Sequence, residues 1–207
     1  MLFLGLTGWL DRAHIVPGGV GAIYVLFPLQ TVVCAAVLAW FWSDFRLRMP
    51  AKSWFALAIG ALVFVLWISP QAFFHQPARL DGFDPGIFAS RPAVYWGEVI
   101  LRFLRLALVV PALEEIFWRG FLLRYLINEE FDAVPFGTYA RMANALVAIG
   151  FMLEHSMPDW PAALVTGLLY NWVAYRTHSL SSCILTHAIT NALLGAYIMM
   201  THQWGFW

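Results

Sequence analysis

The sequence predicts an all-α protein: a polytopic transmembrane bundle of about six spanning helices, with room for an interfacial helix before Pro111. Of its 207 residues, 61% are hydrophobic and only 12% are charged, whereas soluble domains carry about 25% charged residues. Two apolar stretches are long enough to cross a bilayer. Tryptophans and tyrosines also cluster near the ends of apolar segments, as in the aromatic belts of membrane proteins. The formal net charge of zero gives no indication of a nucleic-acid partner.

The first two predicted spans are the clearest. Residues 17–43 contain no charged side chain over 27 positions, and residues 53–74 contain none over 22. About 20 apolar residues suffice to cross about 30 Å of hydrocarbon as a helix. The short basic segment DFRLRMPAK separates the two spans. The stretch from 75 to 92 is rich in Pro, Gly and Asp, which predicts a loop.

The third predicted span, residues 93–127, is helical in pattern but mixed in polarity. Pro111 is expected to kink or divide it. Before the proline, Glu98, Arg102 and Arg105 share one helical face. We expect this face to lie in the membrane interface, rather than at the mouth of an internal cavity. Apolar segments at 142–155, 160–175 and 182–201 complete the six.

The loop charges predict an orientation. Six basic residues lie in predicted loops one, three and five: Arg46, Arg48, Lys52, Arg124, Arg141 and Arg176. Three lie in the N-terminal segment and the remaining loops: Arg12, Arg79 and Arg91. Because cytoplasmic loops carry the excess of basic residues, this distribution places both termini outside.

The segment EEIFWRG places Glu114, Glu115 and Arg119 inside the third span. On insertion scales, each such charge costs about 2.5–3.5 kcal/mol near the bilayer centre. Glu115 and Arg119 are four residues apart in the favourable order and are expected to pair. Glu114 is rotated by about 100° from Glu115 and has no partner on its own helix. An intramembrane carboxylate left in this way indicates a functional site.

Two later segments supply polar groups that could meet Glu114. FMLEH places Phe151 and His155 on one helical face, and HAITN does the same for His187 and Asn191. At 1.5 Å per residue, Glu114 and these polar groups fall in overlapping layers roughly 14–24 Å from the membrane edge. The sequence therefore predicts that Glu114, His155, His187 and Asn191 converge on one cavity. Glu154 is expected to face another helix or the interface.

These four groups have the chemistry of a hydrolytic site. A carboxylate beside an imidazole can hold and deprotonate water, which makes Glu114 the candidate base and His155 its partner. An imidazole and a carboxamide can stabilise an oxyanion, a role that suits His187 and Asn191. Glu115 and Arg119 would support the helix and tune the field. No cofactor is expected, with zinc at Glu114, His155 and His187 as a minor alternative, because HExxH is absent.

The ordered motifs EEIFWRG, FMLEH and HAITN resemble the EExxxR, FxxxH and HxxxN or HxxxD pattern of the CAAX prenyl endopeptidase and bacteriocin-processing family of intramembrane proteases. The segments VPALEEIFWRGFLLRYLI, GLLYNWVAYRTHSL and THQWGFW are similar to its bacterial branch associated with exosortase and PEP-CTERM sorting. The resemblance implies a single membrane-embedded domain, 1–207. Its protease core would be 91–207, preceded within 1–90 by two spanning helices and a polar loop.

The resemblance also implies a glutamate-dependent intramembrane endopeptidase. It places the water-activating pair on Glu114 and His155, and the oxyanion pair on His187 and Asn191. Phe151, Glu115 and Arg119 fall on its supporting positions. The expected partners are the lipid bilayer, a membrane-associated protein or peptide substrate, and an exosortase sorting system, in a bacterial inner membrane. The alternatives are a non-catalytic scaffold or immunity-type protein, a metal-dependent protease, and a proton or solute pathway.

Overall fold

The computed structural model describes residues 21–45 and 47–207; the part of the first predicted span before residue 21 lies outside them. Within this part of the chain there are six long helical segments and no strand. They are α1 (Ile23–Trp40), α2 (Ser53–Ala72), α3 (residues 92–125), α4 (Arg141–Glu154), α5 (Trp160–Thr177) and α6 (Leu180–Thr201). Short 3-10 turns connect them at Trp42–Phe45, Pro85–Phe88, Phe131–Ala133 and Met157–Asp159, and another follows at Trp204–Phe206.

The chain is an integral membrane protein of helical type. Within the described residues, α1, α2 and α6 are long and apolar enough to cross a bilayer. The number of spans therefore stays a prediction, although the six predicted segments each coincide with a helix. α1 is the least covered of the three spans, with most of its apolar side chains exposed, as suits contact with acyl chains.

α3 is continuous across Pro111, so the proline does not divide it. The segment comprises α-helix at Pro92–Leu104, π-helix at Arg105–Val109, α-helix at Val110–Glu115, π-helix at Ile116–Leu122 and a last α-helical turn at Leu123–Tyr125. π-Helical turns are frequent at functional sites because they change the direction in which the following side chains point. The paired glutamates lie between the two π segments.

Small residues let the helices approach closely. α2 packs along α6 and α4 along α5. A Cβ on Gly60 of α2 would come within 2.6 Å of the Thr186 carbonyl oxygen of α6, and one on Gly167 of α5 within 3.0 Å of the Ala148 Cα of α4. These contacts bring the backbones together as small residues do in membrane bundles.

The loops gather at two ends of the bundle. At one end Lys52 Nζ donates to the Arg176 carbonyl at 2.5 Å, which joins the loop before α2 to the end of α5. At the other end Arg79 forms an ion pair with Asp159 at 2.5 Å, and its carbonyl accepts from Gly205 N–H at 2.9 Å.

Candidate active site

A proline directly after the first π-helical stretch of α3 creates the first contact of the site. Val110 N–H donates to the carbonyl of Arg105, five residues earlier. The next donor in this register would be position 111, but Pro111 has no N–H. The Leu106 carbonyl instead accepts from Nδ2 of Asn191, at 2.9 Å. Asn191 therefore ties α6 to the bend that positions the two glutamates.

Glu115 and Arg119 form the expected ion pair, at 2.9 Å between Oε1 and Nη1, and both side chains are 0% exposed. The guanidinium also donates from Nε to Asn171 Oδ1 at 3.1 Å and from Nη2 to the Gly167 carbonyl at 3.2 Å. A buried pair is retained at tolerable cost only when further hydrogen bonds satisfy its atoms. α5 supplies these bonds, so the pair fixes α3 against α5.

Glu115 has a second role that the sequence did not reveal. The same oxygen, Oε1, accepts from Nδ1 of His187 at 3.0 Å. Because a carboxylate only accepts, Nδ1 carries the hydrogen. His187 is thereby oriented with Nε2 as its remaining nitrogen, and its ring packs against Tyr170 at 5.1 Å between centroids. The hydroxyl of Tyr170 in turn donates to Thr190 at 2.8 Å.

His155 lies just past the end of α4, in extended backbone rather than within the helix. Its Nδ1 lies 2.8 Å from the carbonyl oxygen of Phe151, which can only accept, so Nδ1 is the donor. A neutral ring then presents Nε2 as an acceptor. The rings of Trp67 and Phe151 pack on His155, with centroids at 5.3 and 4.9 Å. The Trp67 indole is itself fixed by a 3.0 Å bond to Thr166 Oγ1.

One cavity of about 750 Å³ joins these groups. Glu114, His155, His187 and Asn191 all line it, which confirms the predicted convergence. Glu114 makes no hydrogen bond or ion pair with any residue in the described part of the chain. Both oxygens of its carboxylate can therefore accept hydrogen bonds from a molecule in the cavity. This agrees with the expectation that Glu115, and not Glu114, pairs with Arg119.

Two expectations about neighbouring charges are wrong. The face that carries Arg102 and Arg105 does not lie in the interface: both residues line the cavity, and Arg102 is only 7% exposed. A polar helical face looks alike in sequence whether it meets headgroups or a wet cavity, so periodicity alone could not distinguish them. Glu154 also lines the cavity, instead of facing another helix or the interface. Glu154 is the last residue of α4, next to His155, and its side chain is exposed.

Trp67 and Tyr170 also belong to the site, and no motif pointed to them. Each acts through contact with a histidine, which leaves no fixed spacing in the sequence. For zinc, no group of three His, Cys, Asp or Glu in the described ranges is arranged as a metal site. Glu114, His155 and His187 thus share a cavity without the geometry of a ligand cluster.

With the geometry established, comparison with known proteins points the same way. Residues 95–193, just under half of the chain, match the family model described as Type II CAAX prenyl endopeptidase Rce1-like. This match supports the CAAX protease family. The matched region contains Glu114, His155 and His187, and also the cavity arginines Arg102 and Arg105. The match supports a CAAX-type intramembrane protease in general, and the apolar helices agree with a membrane location. Neither the curated proteins nor the solved structures gave a match.

Proposed function

We propose that this protein is an intramembrane endopeptidase that hydrolyses a peptide bond of a membrane-associated protein or peptide, with water activated by Glu114 and His155. The observation that carries the proposal is the shared cavity, in which an unpartnered carboxylate meets two oriented histidines and an amide. The reaction uses water and side chains and needs no cofactor.

In the proposed first step, the Glu114 carboxylate takes a proton from water while His155 Nε2 accepts a hydrogen bond from the same molecule. The water oxygen forms a bond to the scissile carbonyl carbon, and the carbonyl oxygen becomes an oxyanion. Glu114 then delivers its proton to the amide nitrogen as the C–N bond breaks. The products are a carboxylic acid and an amine, so the atoms balance.

Asn191 and His187 are the proposed oxyanion donors. One hydrogen of Asn191 Nδ2 is occupied by the Leu106 carbonyl, and the second is free to donate. The Nδ1 hydrogen of His187 is held by Glu115, so His187 can donate from Nε2 only as an imidazolium. The Glu115 carboxylate lies beside the ring on which that positive charge would form.

The finer assignments follow the resemblance of the motifs. We propose that the chain belongs to the bacterial branch associated with exosortase sorting and resides in the inner membrane of a bacterium. Its substrate would then be a membrane protein handled by that sorting system. The motif segments from VPALEEIFWRG to the closing THQWGFW support this placement.

Substitution of Glu114, the proposed base, tests the proposal. Glu114→Gln keeps the shape of the side chain but cannot accept the proton, so we expect cleavage to fall at least about 100-fold. Protein termini in membranes from cells that express wild type, Glu114→Gln or Glu129→Gln would be compared by mass spectrometry. Glu129 is an exposed carboxylate outside the cavity and is the matched control.

New protein termini that appear with wild type and with Glu129→Gln, but not with Glu114→Gln, support the proposal. Identical termini in all three strains, with equal protein levels, exclude it. If the cells also keep their phenotype with Glu114→Gln, the non-catalytic scaffold becomes the better account.

A further inference from the structure

Two arginines in the cavity have no task in the proposed hydrolysis. Arg102 and Arg105 project from α3 into the space that Glu114 and His155 also line. Arg102 is 7% exposed, and its Nε and Nη1 are buried with no hydrogen-bond partner among the described residues. A buried guanidinium normally uses its planar N–H donors, so idle donors facing a cavity indicate a missing ligand.

Aromatic rings hold the two cations in place without satisfying those donors. The guanidinium carbons of Arg102 and Arg105 lie 4.3 and 4.7 Å from the centroid of the same ring, Phe27. Arg102 also lies 5.1 Å from Phe83 and 5.4 Å from Trp207. Rings stabilise the face of a guanidinium, whereas its N–H groups point outward in the plane. Two like charges are thus held against one ring.

The nearby carboxylates do not neutralise them directly. Glu98 and Glu114 act electrostatically on Arg102 and Arg105, respectively. No ion pair within 4.0 Å joins either arginine to a carboxylate in the described part of the chain. Glu98 Oε2 is itself buried without a hydrogen-bond partner. Burial of an unpaired cation costs free energy, which a bound anion would offset.

We propose that Arg102 and Arg105 form a subsite that binds a carboxylate of the peptide substrate, either its free C-terminus or an aspartate or glutamate side chain. The planar N–H fork of arginine matches a carboxylate in two parallel bonds. The subsite shares the cavity with Glu114 and His155, so a peptide bound there would present a nearby bond for hydrolysis. The phosphodiester of a lipid headgroup carries the same single charge as a carboxylate, so the test below includes a lipid arm that separates the two. The link to cleavage rests on the proposed function, whereas the binding itself does not.

The test measures binding in full-length Glu114→Gln protein, so that no probe is cleaved. The protein is held in nanodiscs of phosphatidylcholine alone or of phosphatidylcholine with phosphatidylglycerol. The probes are a short N-acetylated apolar peptide as its free acid, the same peptide as its C-terminal amide, and that amide with one internal aspartate. We expect at least one carboxylate probe to bind about 10-fold more tightly than the plain amide. The probe that gains affinity identifies the source of the carboxylate.

Arg102→Met and Arg105→Met, each added to this background, are expected to remove the preference. Arg91→Met, on an exposed arginine at the start of α3, is the matched control and should keep it. Methionine retains a long stem against the rings. Because Arg102→Met also removes an uncompensated charge, it should unfold at no lower temperature than its parent, which a merely structural arginine would not allow.

Three results overturn the inference: a carboxylate preference that survives in both cavity variants, no binding of any probe, or binding that depends on the arginines but follows phosphatidylglycerol in the nanodisc. The last result would assign the subsite to a lipid. Because binding is measured without the proposed base, these outcomes leave the hydrolysis to be judged by its own experiment.

Discussion

The two adjacent glutamates have opposite surroundings. Glu115 is 0% exposed and accepts from Arg119 and His187 through one oxygen. Glu114 lines the cavity with no such bonds in the described residues. One carboxylate therefore belongs to the framework of the bundle, and its neighbour is available for chemistry.

This contrast predicts a difference in stability. Glu115→Gln removes the charge that balances Arg119 and the acceptor that orients His187, so we expect a loss of about 3–5 kcal/mol in the free energy of unfolding. Glu114→Gln breaks no hydrogen bond or ion pair in the described part of the chain and should cost little. Thermal unfolding of both variants in the same detergent measures the difference. Equal unfolding temperatures would contradict the framework role of Glu115.

The pairing of Glu115 with Arg119 followed from their spacing, because a contact within one helical turn is fixed by local geometry. The bond from Glu115 to His187 could not be read in this way, since it joins residues 72 positions apart. Which carboxylate a distant histidine meets depends on the rotation of α3, and that rotation is set by its π-helical turns. Sequence periodicity assumes a constant 3.6 residues per turn, and each π turn breaks that assumption.

At the scale of elements, Pro111 and Asn191 behave as a pair. The proline removes a backbone donor from α3, and the asparagine on α6 supplies the replacement to the Leu106 carbonyl. Asn191 therefore has a structural bond in addition to its proposed place in the oxyanion hole. The consequence is that a loss of activity on removal of Asn191 cannot be assigned to catalysis without a second measurement.

A double-mutant cycle separates the two roles. Asn191→Ala leaves the Leu106 carbonyl without its donor and should cost about 1–3 kcal/mol of stability. Pro111→Ala restores an N–H at the next position in the π register. In the Pro111→Ala background, the loss of stability caused by Asn191→Ala should be smaller by at least about 1 kcal/mol than in the wild type. The free energy of unfolding of the four proteins gives the coupling.

Additive effects in this cycle would show that Asn191 does not compensate for the proline. If coupling is found and the Pro111→Ala protein with Asn191 intact still cleaves, activity lost on further removal of Asn191 belongs to the oxyanion role.

At the scale of the whole molecule, the sequence predicted the bundle from composition and from long apolar runs, since both follow directly from the energetics of lipid. It also predicted that Glu114, His155, His187 and Asn191 share a cavity, because depth along a helix is nearly independent of how the helix is rotated. Whether Arg102 and Arg105 face the interface or the cavity depends on rotation, and that prediction was wrong. The number of spans, the orientation and the roles of the site residues stay predictions.

The contacts at the two ends of the bundle support an up-and-down arrangement. The loop before α2 meets the end of α5 through Lys52 and Arg176, and His178 meets Phe136 of the loop before α4 at 3.0 Å. These are predicted loops one, five and three, the basic set expected on the cytoplasmic side. At the opposite end, Arg79 of loop two pairs with Asp159 of loop four.

The cavity lies nearer the Arg79 end of the bundle. Its lining includes Glu154 and His155, which precede Asp159 by five and four residues, and Phe206 and Trp207, which follow the last helix. The basic residues Lys52 and Arg176 of the opposite end do not line it. Together with the positive-inside distribution, this position predicts that the cavity admits water from the outer face of the membrane.

Cysteine labelling tests this orientation. With Cys34 and Cys183 changed to Ala, single cysteines would be placed at Glu154 in the cavity, Ala78 in loop two and Glu129 in loop three, and treated with a membrane-impermeant maleimide. We expect Glu154→Cys and Ala78→Cys to react in intact cells, because their end of the bundle faces outward. Glu129→Cys should react only after the membrane is opened. If Glu129→Cys alone reacts in intact cells, the orientation is the reverse of the predicted one. If Glu154→Cys reacts under the same conditions as Glu129→Cys rather than as Ala78→Cys, water enters the cavity from the basic end.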